Sequence, residues 1–245
     1  MNKRSTHMKN RRNKLLKQKK FKGINLITRE KELIESRVSK IYEVLTHATE
    51  CFPRTFAFRV DLRFPHSYKF DESFPYMTKF FASLESQITE ELKRRKKRQV
   101  SVSQENMRYI WCKEIDKSEK THYHLVILLN KDNFKSLGDF KRVIIAERKC
   151  KHLYQMLLCA WSRVLGISLE DAHKSVYIPD NAVYQVRYFL GEDLSMNHDF
   201  VSLFNRCIYL SKARTQAKGF SRTFGVGVKK SSNVLMANGN VISRS

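Results

Sequence analysis

Two histidines two residues apart, His122 and His124, open an apolar run, Leu125-Val126-Ile127-Leu128-Leu129. A branched apolar run of this kind reads as a β-strand. Side chains alternate along a strand, so both imidazoles point to one face and could grip a single metal ion. The stretch 108–115 (RYIWCKEI) is aromatic and β-branched enough to be a second strand, and 116–120 (DKSEK) is a polar turn joining the two. A five-residue hairpin loop sets Ile115 opposite Thr121, Glu114 opposite His122 and Cys112 opposite His124. Directly opposed residues share a face, so two imidazoles and a carboxylate meet on one surface. That mixed nitrogen and oxygen set suits Mg2+ or Mn2+ assisting phosphate chemistry. A slip of one residue would turn Glu114 to the wrong face, and a bare His-x-His pair also reads as the cap of a buried strand.

Downstream, Tyr209 and Lys212 stand three apart in a stretch, 200–216, that reads as helix, so they share a face. A phenol is a poor nucleophile near neutral pH because its pKa is about 10. A neighbouring ammonium or metal ion favours the phenolate and neutralises the attacked phosphate. Facing a two-histidine metal site, the pair makes a coherent phosphodiester transesterase. On its own it reads as a core aromatic beside a surface lysine. Tyr184 and Tyr188, four apart in a second stretch of helical character at 181–190, are a competing pair.

These residues need a scaffold, and the chain is long enough to bury one: 245 residues, one large domain with appendages. Lysine and arginine number 47 against 24 acidic residues, a formal charge of +23. Such an excess argues for a polyanionic partner, nucleic acid by default. No apolar run reaches spanning length and no signal-peptide core opens the chain, so no membrane association and a cytoplasmic location are expected. The five cysteines are irregularly spaced without a C-x-x-C and read as reduced, mostly buried thiols.

In order, residues 1–27 read as a basic flexible tail and 28–52 as a helix with Thr28 as its N-cap. A strand follows at 55–64, stopped by Pro65, in which Asp61 reads as a partner for Arg59 or Arg63, or as an extra metal ligand. A helix at 74–95 runs out into the basic run 93–98, either solvated surface or a DNA-backbone contact. After the histidine hairpin, 130–139 is a loop, 140–165 is helical with Gly166 as its stop, and 175–178 is a short strand ended by Pro179. The order strand, helix, strand, strand, helix, strand is that of a ferredoxin-like (RRM-like) α+β domain: an antiparallel sheet with helices on one face, here with an N-terminal helix and a C-terminal helical extension. Residues from 217 on are basic and glycine-rich with Phe220 and Phe224 interleaved. They suit backbone contact and base stacking, or an ordinary packed extension.

Three features, a strand ending in Phe64-Pro65, the Trp111-Cys112-Lys113-Glu114…His122-Tyr123-His124 hairpin, and Tyr209-Leu210-Ser211-Lys212, together resemble the motifs of HUH endonucleases, the rolling-circle replication initiators. The nearer likeness is to the replication endonuclease of filamentous phages (inoviruses) and its prophage relatives of YagK/YfjJ type. It rests also on Ile110-Trp111, Leu129-Asn130, Ala160-Trp161, Val176-Tyr177-Ile178-Pro179 and Arg222-Thr223-Phe224-Gly225, and covers roughly residues 53–226. The resemblance implies an HUH palm within an endonuclease domain at 28–226, followed by a basic tail at 227–245. It implies that His122, His124 and Glu114 hold Mg2+ or Mn2+. Tyr209 would attack single-stranded or melted DNA to leave a 5′-phosphotyrosine and a priming 3′-OH, and Lys212 would orient the phenol. Host helicase or replication proteins would be partners. Two other readings stay open: a non-catalytic DNA-binding regulator on the same fold, and a structural nucleic-acid binder whose histidines belong to the core.

Overall fold

The computed structural model describes residues 14–28, 32–104, 107–115, 120–138, 152–213 and 222–227. Its elements, in chain order, are β1 (Lys20–Phe21), β2 (Ile24–Asn25), α1 (Glu35–Cys51), β3 (Arg54–Arg63), α2 (Tyr76–Lys97), β4 (Arg108–Ile115), β5 (Thr121–Asn130), α3 (Leu153–Leu165), α4 (Leu169–Ser175), β6 (Val176–Tyr177), β7 (Val183–Arg187), α5 (His198–Cys207), a single 3-10 turn (Ile208–Ser211) and β8 (Phe224–Gly227). The main sheet runs β6-β3-β5-β4-β8 and is antiparallel throughout. β7 extends the β6 side, pairing with the first half of β3. The long apolar strand β5 is therefore central, as its unbroken run of branched residues predicts.

Alternation along the strands builds two cores. On one face Phe56, Phe58, Val60 and Leu62 of β3 meet Tyr123, Leu125, Ile127 and Leu129 of β5, covered by α2 and α3. On the other, Ala57, Val126, Leu128, Ile110 and Cys112 are covered by α1 and α5. The protein is thus mixed α+β as expected, but helices lie on both faces of the sheet and not on one. The cause is visible in β5: with Val126 and Leu128 on the second face, a one-sided fold would leave branched side chains in water, at roughly 1.5–3 kcal/mol each.

Other expectations are corrected. The stretch 181–190 contains a strand, not a helix: Tyr184, Val186 and Tyr188 point inward to the second core while Val183, Gln185 and Arg187 are exposed. Helix α1 begins at Glu35 rather than at Thr28. Its N-cap, Ile34, makes no side-chain cap bond, because residues before it are recruited as extended backbone: Ile34 N donates to Ser211 O, and Leu33 bridges Lys212. Of the basic segment 1–27, residues 1–13 lie outside the described residues; from residue 14 the chain packs on the domain, with Leu15 bridging Ile34 and the β1–β2 hairpin laying Phe21 on Tyr42 and Phe204. The 200–216 helix ends at Cys207 and tightens into the 3-10 turn, and positions 214–216 fall outside the described residues. Most of the expected helix before Leu153, residues 140–151, also lies outside them. Gly166 does end α3, in the left-handed conformation at φ 67°. Helix α4 had no counterpart in the sequence reading. Cys51, Cys112 and Cys207 are free thiols, but Cys159 is disulfide-bonded, against the expectation of five reduced cysteines. Among the described residues no helix is long and apolar enough to cross a membrane.

β8 is admitted to the sheet edge because it is glycine-rich. A Cβ on Gly225 would lie 2.5 Å from Trp111 Nε1, and one on Gly227 would collide with the Tyr109 ring. Trp111 is buried and cannot move aside. Gly225→Ala should therefore destabilise the fold by roughly 1–3 kcal/mol, the usual cost of overpacking. Chemical denaturation reads this directly; an unchanged midpoint would mean that β8 does not dock on β4.

Candidate metal site and nucleophile

The hairpin register places Glu114 opposite His122 and Cys112 opposite His124, as the loop length predicts. β3 adds a third row, with Asp61 opposite His124 and Arg63 opposite His122. Three adjacent strands thus aim side chains at one point on the α1–α5 face.

The second-layer contacts fix which ring atoms face inward. His124 Nδ1 lies 2.7 Å from Asp61 Oδ1, to which it donates, leaving Nε2 to point into the site. His122 Nδ1 is turned toward Lys120 O at 3.4 Å. The two Nε2 atoms are 3.2 Å apart, and Glu114 Oε2 is 3.3 Å from that of His124 and 4.0 Å from that of His122. Ligands held about 2.1–2.2 Å from one ion at right angles are separated by about 3 Å. Two edges of the triangle fit, and a small turn of the carboxylate closes the third. Glu114, His122 and His124 could therefore hold a metal ion.

The same carboxylate organises the candidate nucleophile. Lys212 Nζ lies 2.8 Å from Glu114 Oε2 and donates to the Tyr209 hydroxyl at 2.5 Å. The Tyr209 ring packs edge-on to His124, centroids 5.7 Å apart, with the Arg59 guanidinium 5.1 Å from its centroid. Tyr209 and Lys212 meet, but not on the expected helix: Tyr209 lies in the 3-10 turn and Lys212 follows it with extended backbone, bridged to Leu33, its ammonium reaching back to the phenol. The turn is held by the N-terminal segment: Ser211 O accepts from Ile34 N and Ala213 N donates to Glu32 O. By contrast Tyr184, opposite Ala57, packs with Tyr188 against the second core. Their spacing was read as one face of a helix, and no helix is there.

Electrostatics bind the cluster. Burial raises the Glu114 carboxyl, but His124 and Lys212 outweigh it and hold its pKa at about 2. Burial likewise lowers Lys212, and its bonds to Glu114 and Tyr209 bring it above the usual lysine value. Burial would lower His124, yet hydrogen bonds to Asp61 and Glu114 hold it above 6.5, whereas burial and the neighbouring His124 push His122 down. Two residues that sequence reasoning undervalued complete the network. Arg59 grips Asp61 with two bonds, at 3.0 and 3.2 Å, which makes Asp61 both the arginine partner expected and an anchor for His124. Cys112 donates its thiol to Glu114 Oε1 at 3.6 Å.

A raised His124 pKa has a signed consequence. Its protonated form contributes stability fully below the unfolded value near 6.5, and that contribution is lost as pH rises through the folded value. A divalent ion needs neutral Nε2 and must displace the proton. Mn2+ affinity should therefore keep rising as pH climbs above the ordinary imidazole value of 6.5, by up to tenfold per unit where one proton is released. Calorimetric titration in buffers of different ionisation heat measures both quantities; a flat affinity with no proton release would remove His124 from the ligand set.

Fold and site together define a mixed α+β protein in which a two-histidine, one-carboxylate cluster faces a tyrosine–lysine pair. Residues 16–227 match the YagK/YfjJ C-terminal domain family, and the chain belongs to it. It is 29% identical over 196 residues to the "Uncharacterized protein YagK" of Escherichia coli (strain K12), spanning 76% of this chain and 89% of that relative. It is 32% identical over 121 residues to the "Uncharacterized protein YfjJ" of the same strain, spanning 49% of this chain and 53% of that relative. No solved structure matches.

Proposed function

We propose that this protein is a metal-dependent DNA nicking and joining enzyme of the HUH type, initiating rolling-circle replication of a phage or mobile element in the bacterial cytoplasm. The observation that carries the reading is the convergence of Tyr209 and Lys212 on the carboxylate of the Glu114, His122 and His124 cluster. A buried carboxylate with its pKa near 2 and two imidazoles whose Nε2 atoms meet is an arrangement suited to Mg2+ or Mn2+. When bound, the ion would polarise a non-bridging phosphate oxygen and offset its charge. Lys212 donates to the phenol oxygen and so favours the phenolate. The Tyr209 oxygen, its proton given up to solvent, then attacks phosphorus in single-stranded or melted DNA; the bond from phosphorus to the 3′ oxygen breaks, that oxygen takes a proton from solvent to leave as the 3′-OH that primes synthesis, and the 5′-phosphate stays on Tyr209 as a phosphotyrosine. Return of a 3′-OH to that phosphorus releases Tyr209 and rejoins the strand. Host helicase or replication proteins would supply the melted template. The charge of +23 supports binding of the polyanion. It also supports the second reading, a DNA-binding regulator without chemistry. Incubation of the whole protein with single-stranded DNA and Mn2+, followed by a denaturing gel, separates the two. The enzyme gives a covalent adduct; tight binding without an adduct under any metal leaves the regulator.

A further inference from the structure

Next to the site lies an aromatic that the chemistry above does not use. Tyr177 stands opposite Asp61, which stands opposite His124, so the three form one row across the sheet and share a face. With neighbouring strands about 4.8 Å apart, the Tyr177 backbone is roughly 10 Å from that of His124. Tyr177 is 46% exposed, whereas its strand neighbour Val176 is buried. The Arg63 guanidinium lies 5.4 Å from its ring centroid, and Arg63 itself stands opposite His122. Arg63 is also held from behind, since the buried Trp161 indole donates to its carbonyl at 2.9 Å. Arg63 also borders a neighbouring cavity of about 490 Å3 with His66, Ser67, Asp171 and Lys174, which Tyr177 does not line.

An exposed ring beside a planar cation, on a rigid strand, is the chemistry that stacks a nucleobase while contacting its phosphate. We propose that Tyr177 and Arg63 form a sequence-tolerant platform for single-stranded DNA, holding a base within a few nucleotides of the phosphate presented to Tyr209. The ring supplies stacking, and Arg63 supplies charge to the backbone. The inference rests on the nicking reading for what the neighbouring site does, but its test needs no cleavage.

The whole protein, wild type and variant, is titrated with labelled oligothymidine and with an abasic oligonucleotide of equal length, in EDTA, over a range of salt. Tyr177→Ala should weaken oligothymidine binding roughly 5- to 100-fold, the span of one lost stack. Tyr177→Phe and Tyr177→Trp should bind as wild type does, and the abasic strand should not distinguish any of the four. Arg63→Ala should lower the salt dependence by close to one phosphate contact, which Tyr177→Ala should leave unchanged. The proposal is overturned if Tyr177→Ala binds oligothymidine as wild type does, or if Tyr177→Phe is as weak as the alanine variant. Should Tyr177→Ala not fold, wild type binding abasic and thymidine strands equally overturns it just as well. Adduct formation is scored separately on the same wild-type protein. An adduct with no Tyr177 effect ends this proposal alone, and a Tyr177 effect with no adduct ends the nicking reading alone.

Discussion

Tyr209→Phe is expected to abolish the covalent adduct with single-stranded DNA while the folded protein binds that DNA as before. One oxygen is removed. The ring keeps its edge contact with His124 and its place beside Arg59. Lys212 loses one acceptor but keeps Glu114 at 2.8 Å, so the stability change should be about 1 kcal/mol. The loss in strand cleavage should be on the order of 10³-fold or more, because water lacks the position that proximity gives the phenol oxygen. Mass spectrometry of the wild-type adduct identifies the linked peptide. A peptide containing Tyr184 or Tyr188 would transfer the role to a tyrosine packed on the second core and would contradict the geometry described above.

Replacing both His122 and His124 by alanine should be as damaging to chemistry, again with little effect on binding. The variant loses two of three candidate ligands, so cleavage should fall on the order of 10³-fold or more and Mn2+ should no longer raise the melting temperature. The fold should survive, because Asp61 retains its two bonds to Arg59 and Glu114 retains Lys212. Salt-dependent DNA affinity in EDTA should match wild type, since lysines and arginines supply it. Persistent nicking by this variant in EDTA would mean that the histidines hold no catalytic metal.

Much of the site was legible because it is local. The polar loop between β4 and β5 fixes a register, and register alone brings Glu114 to His122. The rest depends on long-range packing that residue patterns carry only faintly. In β3, Arg59 and Asp61 are both charged, yet both are buried. The charges are tolerated because they satisfy each other and His124, information spread over three strands. The stretch that became β7 carried two signals at once: Tyr184 and Tyr188 at helical spacing, and the period-two alternation of Tyr184, Val186 and Tyr188. An open position beside β3 favoured the second. Helix α4 left a short signature, Ser168 capping Asp171 N with Glu170 and Asp171 in the first turn. The covering of both sheet faces was implicit in the unbroken apolar run of β5, which already demanded that it be central.

The backbone bonds that tie Ile34 to Ser211 and Glu32 to Ala213 bear on the order of folding. The segment that clamps the tyrosine turn is synthesised before strands β3 to β7, and the turn itself only after them. Closing so long a loop is entropically slow and gains only when both halves are already shaped. The sheet can assemble from its hairpin outward without this contact, but Tyr209 cannot be set against Glu114 until the clamp closes. The placement of Tyr209 against Glu114 should thus be acquired after the bulk of the secondary structure, and a chain lacking the clamp would carry an assembled histidine hairpin with an unaimed phenol.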